Sequence, residues 1–530
     1  MERFDAIVVG GGPTGLTATA LLGNRGWKVA AFEKRLQRYS MPRAGHIDHE
    51  VMRIVQAVGA HQAIIDDDAE TEVYEWFNGE GKTLLSFPMG EASISGFQSD
   101  YMMFQPVLDG ALHEAIDRID NADVVMGRAV TGLDQDADGV ALTLAHMVAD
   151  GSGHAVPSGE ESTVWAPYVL AADGAGSPVR DAMLGIPRED FGFNEDWLVI
   201  DVRLKRDLPD GVSGQWCDPR RPIYIGALGK RYHRFECAVL PGETEEQMLD
   251  SDFAWRILAE RGVGPDDVEI FRQVVYAFEA RVAERWREGR VFLLGDAAHT
   301  MPPFMGQGLC SGVRDCANLA WKLDLVRGGL APDELLDTYE EERRPHVKQW
   351  IDLSITVGKI SCTFDAEEAR QRDDALLSGN APPLPGFPTL AGGVLSPDAA
   401  GELHAPVGEF FVQAPVAGPP GEGLLHDVVG HGFLLVGADG DPRAALGEEE
   451  LALLEWLGCR VWFLGESVDG GLADPIGAIA GWFEEHGIAA ALVRPDYYVA
   501  GTVDEYAELP GLVGWLGGAL GGAYTEREPA

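Results

Sequence analysis

The chain has 530 residues, and its 41 Lys+Arg stand against 85 Asp+Glu for a formal net charge of −44 at pH 7. Such a field repels phosphate polymers and anionic membranes, so no nucleic acid and no membrane is expected as a partner. With 46% hydrophobic and 24% charged residues the composition is that of folded globular protein, long enough for two or three cores. The longest apolar stretch, Leu512 to Tyr524, is glycine-rich and too short for a membrane span. Met1-Glu2-Arg3-Phe4 runs straight into the first apolar segment, so no signal peptide is expected. Cys217, Cys237, Cys310, Cys316, Cys362 and Cys459 have no CxxC or metal-ligand spacing. They read as reduced, buried thiols of a cytoplasmic protein, and no metal site is expected.

Ala6 to Val9 is an apolar run that enters Gly10-Gly11-Gly12-Pro13-Thr14-Gly15 and then the helical stretch Leu16 to Leu22. This is strand, tight turn, helix. Gly10 and Gly12 allow the turn and a close backbone approach to a pyrophosphate, Gly15 allows helix and strand to pack closely, and the helix N-terminus favours negative charge. A second strand, Val29 to Phe32, ends at Glu33, where a carboxylate can accept hydrogen bonds from a ribose. A helix is predicted over Leu108 to Ile119, and Tyr168 to Ala172 reads as a strand running into the polar turn Asp173 to Arg180.

From Trp197 to Ala280 apolar residues alternate, as in Leu198, Ile200 and Val202 or Phe235, Cys237 and Val239, which predicts an antiparallel sheet. The strand Val291 to Leu294 delivers Gly295-Asp296. After the loop Met301 to Gly308, a helix places Leu309, Val313, Cys316, Ala320 and Leu323 on one face. A long helical region follows, past Tyr339 to about Ile360. Leu376 to Pro406, rich in Gly, Pro and Ala, reads as a linker. Beyond it, alternating strand and helix signals up to Val493 predict a small α/β domain.

Together, Gly10-x-Gly12-x-x-Gly15, Asp173-Gly174 and Gly295-Asp296 resemble the three fingerprints of the single-component FAD-dependent aromatic hydroxylases, the class A flavoprotein monooxygenases. Pro42-Arg43-Ala44, Phe104-Gln105-Pro106, Arg234-Phe235-Glu236, Glu342-Arg343-Arg344 and Ile351-Asp352-Leu353-Ser354 are similar to the bacterial 3-(3-hydroxyphenyl)propionate hydroxylases within that group. The resemblance implies an α/β fold: a Rossmann-like FAD-binding domain from 1–180 and 281–375, an antiparallel-sheet substrate domain over 181–280, and a thioredoxin-like C-terminal domain over 400–530. That last domain would lack a redox pair, since Cys459 stands alone in it.

The implied reaction is hydroxylation of a phenol ortho to its hydroxyl through a flavin C4a-hydroperoxide. FAD is the cofactor, NADH rather than NADPH the favoured reductant, and O₂ the co-substrate. The expected substrate is a 3-(3-hydroxyphenyl)propionate-like compound of aromatic catabolism. A larger polycyclic phenol and a flavin-dependent reductase remain alternatives, and a homodimer is an open expectation. By resemblance, Gly10, Gly12, Pro13, Thr14, Gly15, Glu33, Lys34, Arg43, Gln105, Asp173, Gly295, Asp296, Pro303, Gly306, Gln307, Gly308 and Leu309 hold the FAD. Arg43 suits its pyrophosphate, and Arg180 is a candidate partner near Asp173. A phenol hydroxylase gains from a nearby base, and the candidates are His46 and Asp48, although relatives carry a small residue at the position of His46. Arg221, His233 and Arg234 are candidate anchors for a substrate carboxylate.

Overall fold

The computed structural model describes residues 1–209, 211–465 and 470–521. A six-stranded sheet lies at its centre, in the order Arg287–Glu288, Val291–Leu293, Tyr168–Ala171, Ala6–Val9, Val29–Glu33, Ala122–Met126. All neighbours after the first pair run parallel. Parallel strands are covered on both faces, which is why Ala6-Ile7-Val8-Val9 is apolar throughout and wholly buried. Helix Pro13–Asn24 packs against helix Gln307–Arg327. A four-stranded sheet of Glu2–Arg3, Ala155–Ala166, Val140–Ala149 and Arg128–Gln135 shares the same core.

The predicted antiparallel sheet is present and larger than its sequence signal. Eight strands run in the order His299–Thr300, Val268–Ala283, Arg188–Leu204, Tyr232–Ala238, Ile223–Leu228, Gly214–Cys217, Val73–Asn78, Thr83–Pro88. Gly214–Cys217 joins Val73–Asn78 in parallel, so the sheet draws in strands from well before residue 181. Leu198, Ile200, Val202, Phe235 and Cys237 pack into a separate core with helix Ser251–Ala259. Side chains alternate across a strand, which leaves Trp197, Asp201, Arg234 and Glu236 on the opposite face, toward the central domain.

Helix Thr338–Ser361 matches the long predicted helix. After helix Ala366–Leu377, residues 378–409 form neither helix nor strand, as the Gly and Pro content predicts. After a hairpin of Pro415–Gly418 and Gly421–Leu424 and the helix Leu425–Val429, the C-terminal segment continues as strand, helix, strand, helix, strand, strand, helix, with the sheet order Arg460–Phe463, Leu434–Gly437, Ala490–Val493, Val499–Val503. The first two strands in that order are parallel and the others antiparallel. Trp321 and Leu325 of helix Gln307–Arg327 enter its core, so this unit is seated on the central domain. Of the apolar run Leu512 to Tyr524, the start lies in helix Leu509–Ala519, and 522–524 fall outside the described residues. Among the described residues no helix is long and apolar enough to cross a membrane, and no group of His, Cys, Asp or Glu could hold a metal ion.

Candidate active site

The turn after the first strand accepts only glycine at two points. Gly10 has φ +108°, and a Cβ there would lie 2.4 Å from the Ala172 carbonyl oxygen; a Cβ on Gly15 would lie 2.0 Å from that of Gly10. Gly12 is the N-cap of helix Pro13–Asn24, with Pro13 in its first turn and no side-chain cap. Nothing lies within 4 Å of where a Gly12 Cβ would stand. The first-turn N–H groups are therefore free for an anion. Glu33 braces this turn, accepting from the Gly11 amide at 2.8 Å and the Arg35 amide at 2.9 Å.

One cavity of about 1530 Å³ runs from this turn to the eight-stranded sheet. A pocket for one drug-sized ligand holds roughly 300–1,000 Å³, so a flavin and a second ring fit together. Of the expected cofactor residues, Gly12, Pro13, Thr14, Arg43, Gln105, Asp296, Pro303, Gly306, Gln307, Gly308 and Leu309 line it. Gly10, Gly15, Glu33, Asp173 and Gly295 stand behind the lining as its framework, and Lys34 is exposed.

The Gln105 side chain shapes the Arg43 loop: its Oε1 accepts from the Arg43 and Ala44 amides at 3.0 and 2.9 Å. The exposed Arg43 guanidinium pairs with no carboxylate among the described residues, which leaves it available to a phosphate.

At the far turn, Gly295 has φ +56° and sits against Thr14. Its amide donates to Asp315 Oδ2 at 3.0 Å, which also takes the His299 Nε2 bond at 2.8 Å, while Arg343 Nε donates to Oδ1 at 2.9 Å. Burial alone would raise the Asp315 carboxyl, but His299 and Arg343 outweigh it and keep it below its ordinary value. Sequence reasoning missed Asp315. Its signal, an acid eight residues into a helix, becomes informative only once that helix is known to pass beneath Gly295. Asp296 is exposed to the cavity, and the protein packed around it raises its carboxyl.

Arg180 is fully buried and donates to the Ala297 and Ala175 carbonyls at 2.9 and 2.7 Å. It ties two turns together and is not free to meet a second nucleotide. Asp173 accepts from the Val179 amide at 3.2 Å.

Gly306, φ +65°, starts helix Gln307–Arg327 without a side-chain cap, and that end opens into the cavity. The helix dipole there favours a negative charge by roughly 0.3–1 kcal/mol at an exposed site, and more where water is excluded. His46 packs on Gly306, where a Cβ would come within 2.4 Å of its Nδ1. Its Nε2 bonds Asp100 at 2.7 Å. Burial opposes the imidazolium, but Asp100 and Cys310 outweigh it and hold the His46 pKa well above its ordinary value. Asp100 therefore engages Nε2, while Nδ1, packed on Gly306, has no hydrogen-bond partner among the described residues.

Asp48 is the N-cap of helix His49–Gln56, accepting from the Val51 amide at 3.0 Å. It also takes Gln307 Nε2 at 3.0 Å and Arg314 Nη2. Burial raises its carboxyl, but Arg314, His49 and the Val51 amide more than reverse this and hold it far below the usual range. Asp48 thus joins the start of helix His49–Gln56 to helix Gln307–Arg327, and these bonds, rather than a free base, are what its carboxylate shows.

The expected carboxylate anchors are also committed elsewhere. Arg221 pairs with Glu243 at 2.5 Å outside the cavity lining. Arg234 pairs with the fully buried Asp201 at 2.7 Å and donates to the Arg43 and Pro42 carbonyls. His233 bonds Ser213 at 3.0 Å, and burial lowers it to about 4, so it is neutral at pH 7. Six aromatic residues, Tyr74, Trp76, Phe87, Trp197, Tyr224 and Phe304, also line the cavity.

A family described as FAD binding domain matches residues 3–354, and one described as HcaD C-terminal domain matches 408–512. The chain belongs to this family of FAD-dependent aromatic hydroxylases and is an FAD-dependent monooxygenase. Among its relatives, a probable NADH-specific resorcinol 4-hydroxylase of Rhodococcus jostii is 36% identical, covering 100% of this chain and 97% of its own length. A 3-(3-hydroxy-phenyl)propionate/3-hydroxycinnamic acid hydroxylase of Klebsiella pneumoniae is 34% identical, covering 93% of this chain and 90% of its own. The crystal structure of aklavinone-11 hydroxylase with FAD and aklavinone shares the fold at a TM-score of 0.77 and 24% identity, over 98% of this chain and 99% of that one.

Proposed function

We propose that the protein uses FAD, NADH and O₂ to hydroxylate a meta-substituted phenol ortho to its hydroxyl. The observation that carries this reading is the continuous cavity, with the uncapped Gly12-Pro13-Thr14 turn and Asp296 at one end and an aromatic sheet face at the other. The open start of helix Gln307–Arg327 lies on the same cavity. When bound, FAD supplies the electrophilic oxygen, drawn from O₂ with electrons from NADH. The turn holds the pyrophosphate with Arg43, Asp296 accepts from ribityl hydroxyls, and Glu33 supports the adenosine end. The amides beginning near Gly308 stabilise negative charge on the ring system. Support for NADH comes from the Rhodococcus relative. Resorcinol and 3-hydroxyphenylpropionate, named in the two relatives, share a meta-substituted phenol, and a compound of that class is the proposed substrate.

We read the C-terminal unit as thioredoxin-like, on its strand and helix order and its sheet order. It does no redox chemistry: its thiol, Cys459, is pushed up to about 12 by burial and has no second thiol beside it among the described residues. The reading is tested by titrating FAD into flavin-free protein while following flavin fluorescence. Wild type should bind and then oxidise NADH faster with a phenol present, and Asp296→Ala should bind FAD at least about tenfold more weakly, the loss of a charged hydrogen-bond partner. Wild type that takes up no flavin would overturn the proposal.

A further inference from the structure

A row of side chains crosses the eight-stranded sheet on its cavity face. Trp76 stands opposite Gln215, Gln215 opposite Tyr224, Tyr224 opposite Glu236, and Glu236 opposite Val199. The first four line the cavity. Trp197, two residues before Val199 on the same strand, holds its ring 5.8 Å from Phe304, in the loop that leads into helix Gln307–Arg327. The row therefore lies beside the loop proposed to wall the flavin.

Besides the Trp76 indole N–H, two side chains of this row, Glu236 and Tyr224, make no hydrogen bond among the described residues. Gln215 gives its amide to Ser361 Oγ at 2.7 Å, but no N–H or O–H hydrogen-bonds the Glu236 carboxylate among the described residues. Its one ion pair is Arg234 Nη1 at 3.5 Å, and Arg234 is already held by Asp201. The Tyr224 hydroxyl likewise has no hydrogen-bond partner among the described residues, where its ring meets Tyr74 edge-on. Glu236 is only 7% exposed, and a carboxylate so placed without donors is costly unless something else completes it. A carboxylate accepts and a tyrosine hydroxyl can donate, which are the two bonds that a phenolic O–H needs from its site.

We propose that Glu236 receives the ring hydroxyl of the substrate and takes its proton, with Tyr224 donating to the same phenolic oxygen; this rests on the hydroxylase reading above. In the step the phenolic O–H bond breaks and a Glu236 Oε–H bond forms, leaving the electron pair on the ring oxygen. That raises electron density at the ortho carbon. After oxygen transfer the ortho carbon loses its hydrogen as a proton, which balances the negative oxygen left behind by O–O cleavage, and Glu236 returns its own proton to the ring oxygen of the product.

The surroundings tune this group. Burial pushes Glu236 up; Arg234 on its own strand and Arg272 two strands away lower it, and Asp201 between them raises it, for a net value of about 7. A base near neutrality has the proton affinity that general-base catalysis at pH 7 favours. The carboxylate is the active form, so hydroxylation is lost as pH falls through about 7.

The test compares wild type, Glu236→Gln, Glu236→Asp and Tyr224→Phe across a pH series, with FAD affinity, NADH oxidation and hydroxylated product from resorcinol and 3-(3-hydroxyphenyl)propionate each measured. Glu236→Gln should bind FAD normally, lower product formation about 100-fold as loss of a general base does, keep oxidising NADH without coupling, and lose the acid limb near pH 7. Glu236→Asp should restore part of the rate, and Tyr224→Phe should raise KM more than it lowers kcat. Product formation by Glu236→Gln at the wild-type rate and with the same acid limb would overturn the assignment while leaving the hydroxylase reading in place. Should Glu236→Gln not fold, an unchanged KM in Tyr224→Phe overturns it instead. A wild type that hydroxylates no phenol removes both.

Discussion

At the scale of single residues, the cofactor end depends on acids that never touch the cavity. Asp315 is fully buried and satisfies the Gly295 amide, His299 and Arg343 at once. Removing one partner of a buried ion pair leaves an uncompensated charge and costs about 3–5 kcal/mol. Asp315→Ala should therefore lower stability by that amount, seen as a reduced urea midpoint at unchanged slope. It should also weaken FAD binding, because the Gly295-Asp296 turn loses its anchor. A variant with wild-type midpoint and wild-type FAD affinity would show that the turn holds itself. Asp48 and His46 show the converse: each carries the right chemistry for a base, and each is already engaged, one by Arg314, Gln307 and the Val51 amide, the other by Asp100.

Among the elements, helix Gln307–Arg327 does most to join the parts of the molecule. Its start faces the cavity, Arg314 on its second turn binds Asp48 and Glu50, and Trp321 near its end enters the C-terminal core. Tyr498 of the C-terminal unit closes this chain, donating to Glu50 Oε2 at 3.2 Å. Losing a hydrogen bond to a charged group costs about 1.5–3 kcal/mol, so Tyr498→Phe should lower thermal stability by roughly that much, whereas Cys459→Ser should leave turnover unchanged. Thermal melts and coupled product assays on both variants decide it, and loss of turnover in Cys459→Ser would contradict the non-redox role.

The same helix shows what the sequence makes legible. The glycine turns, the alternating strands and the one-faced helix are local signals, and Ala6–Val9, Val29–Glu33 and Tyr232–Ala238 lie where they are expected. The strands Val73–Asn78 and Thr83–Pro88 were not legible as part of the distant sheet, because the pairing of Val73–Asn78 with Gly214–Cys217, which brings Thr83–Pro88 with it, is a register set only by the fold. The lone Glu236 was legible only as part of a family stretch, because its lack of donors is visible only when its neighbours across the sheet are known.

For the whole molecule, the two halves of the cavity come from different architectures. A parallel sheet with free helix N-termini supplies the cofactor end, and a face of an antiparallel sheet supplies the aromatic end. The loop from Met301 to Gly308 is where they meet. The C-terminal unit is locked to this core by a buried group of charges: Lys322 and Arg494 lie 2.8 and 2.6 Å from Glu342, and Arg494 2.6 Å from Asp496. Transfer of one oxygen atom from O₂ to a phenol in this single cavity is measured by running the FAD-loaded enzyme with NADH, a meta-substituted phenol and ¹⁸O₂, and weighing the product by mass spectrometry. One labelled oxygen is expected in a hydroxylated product, ortho to the original hydroxyl; NADH oxidation that yields only hydrogen peroxide and no labelled product with any phenol of this class would overturn the hydroxylase reading.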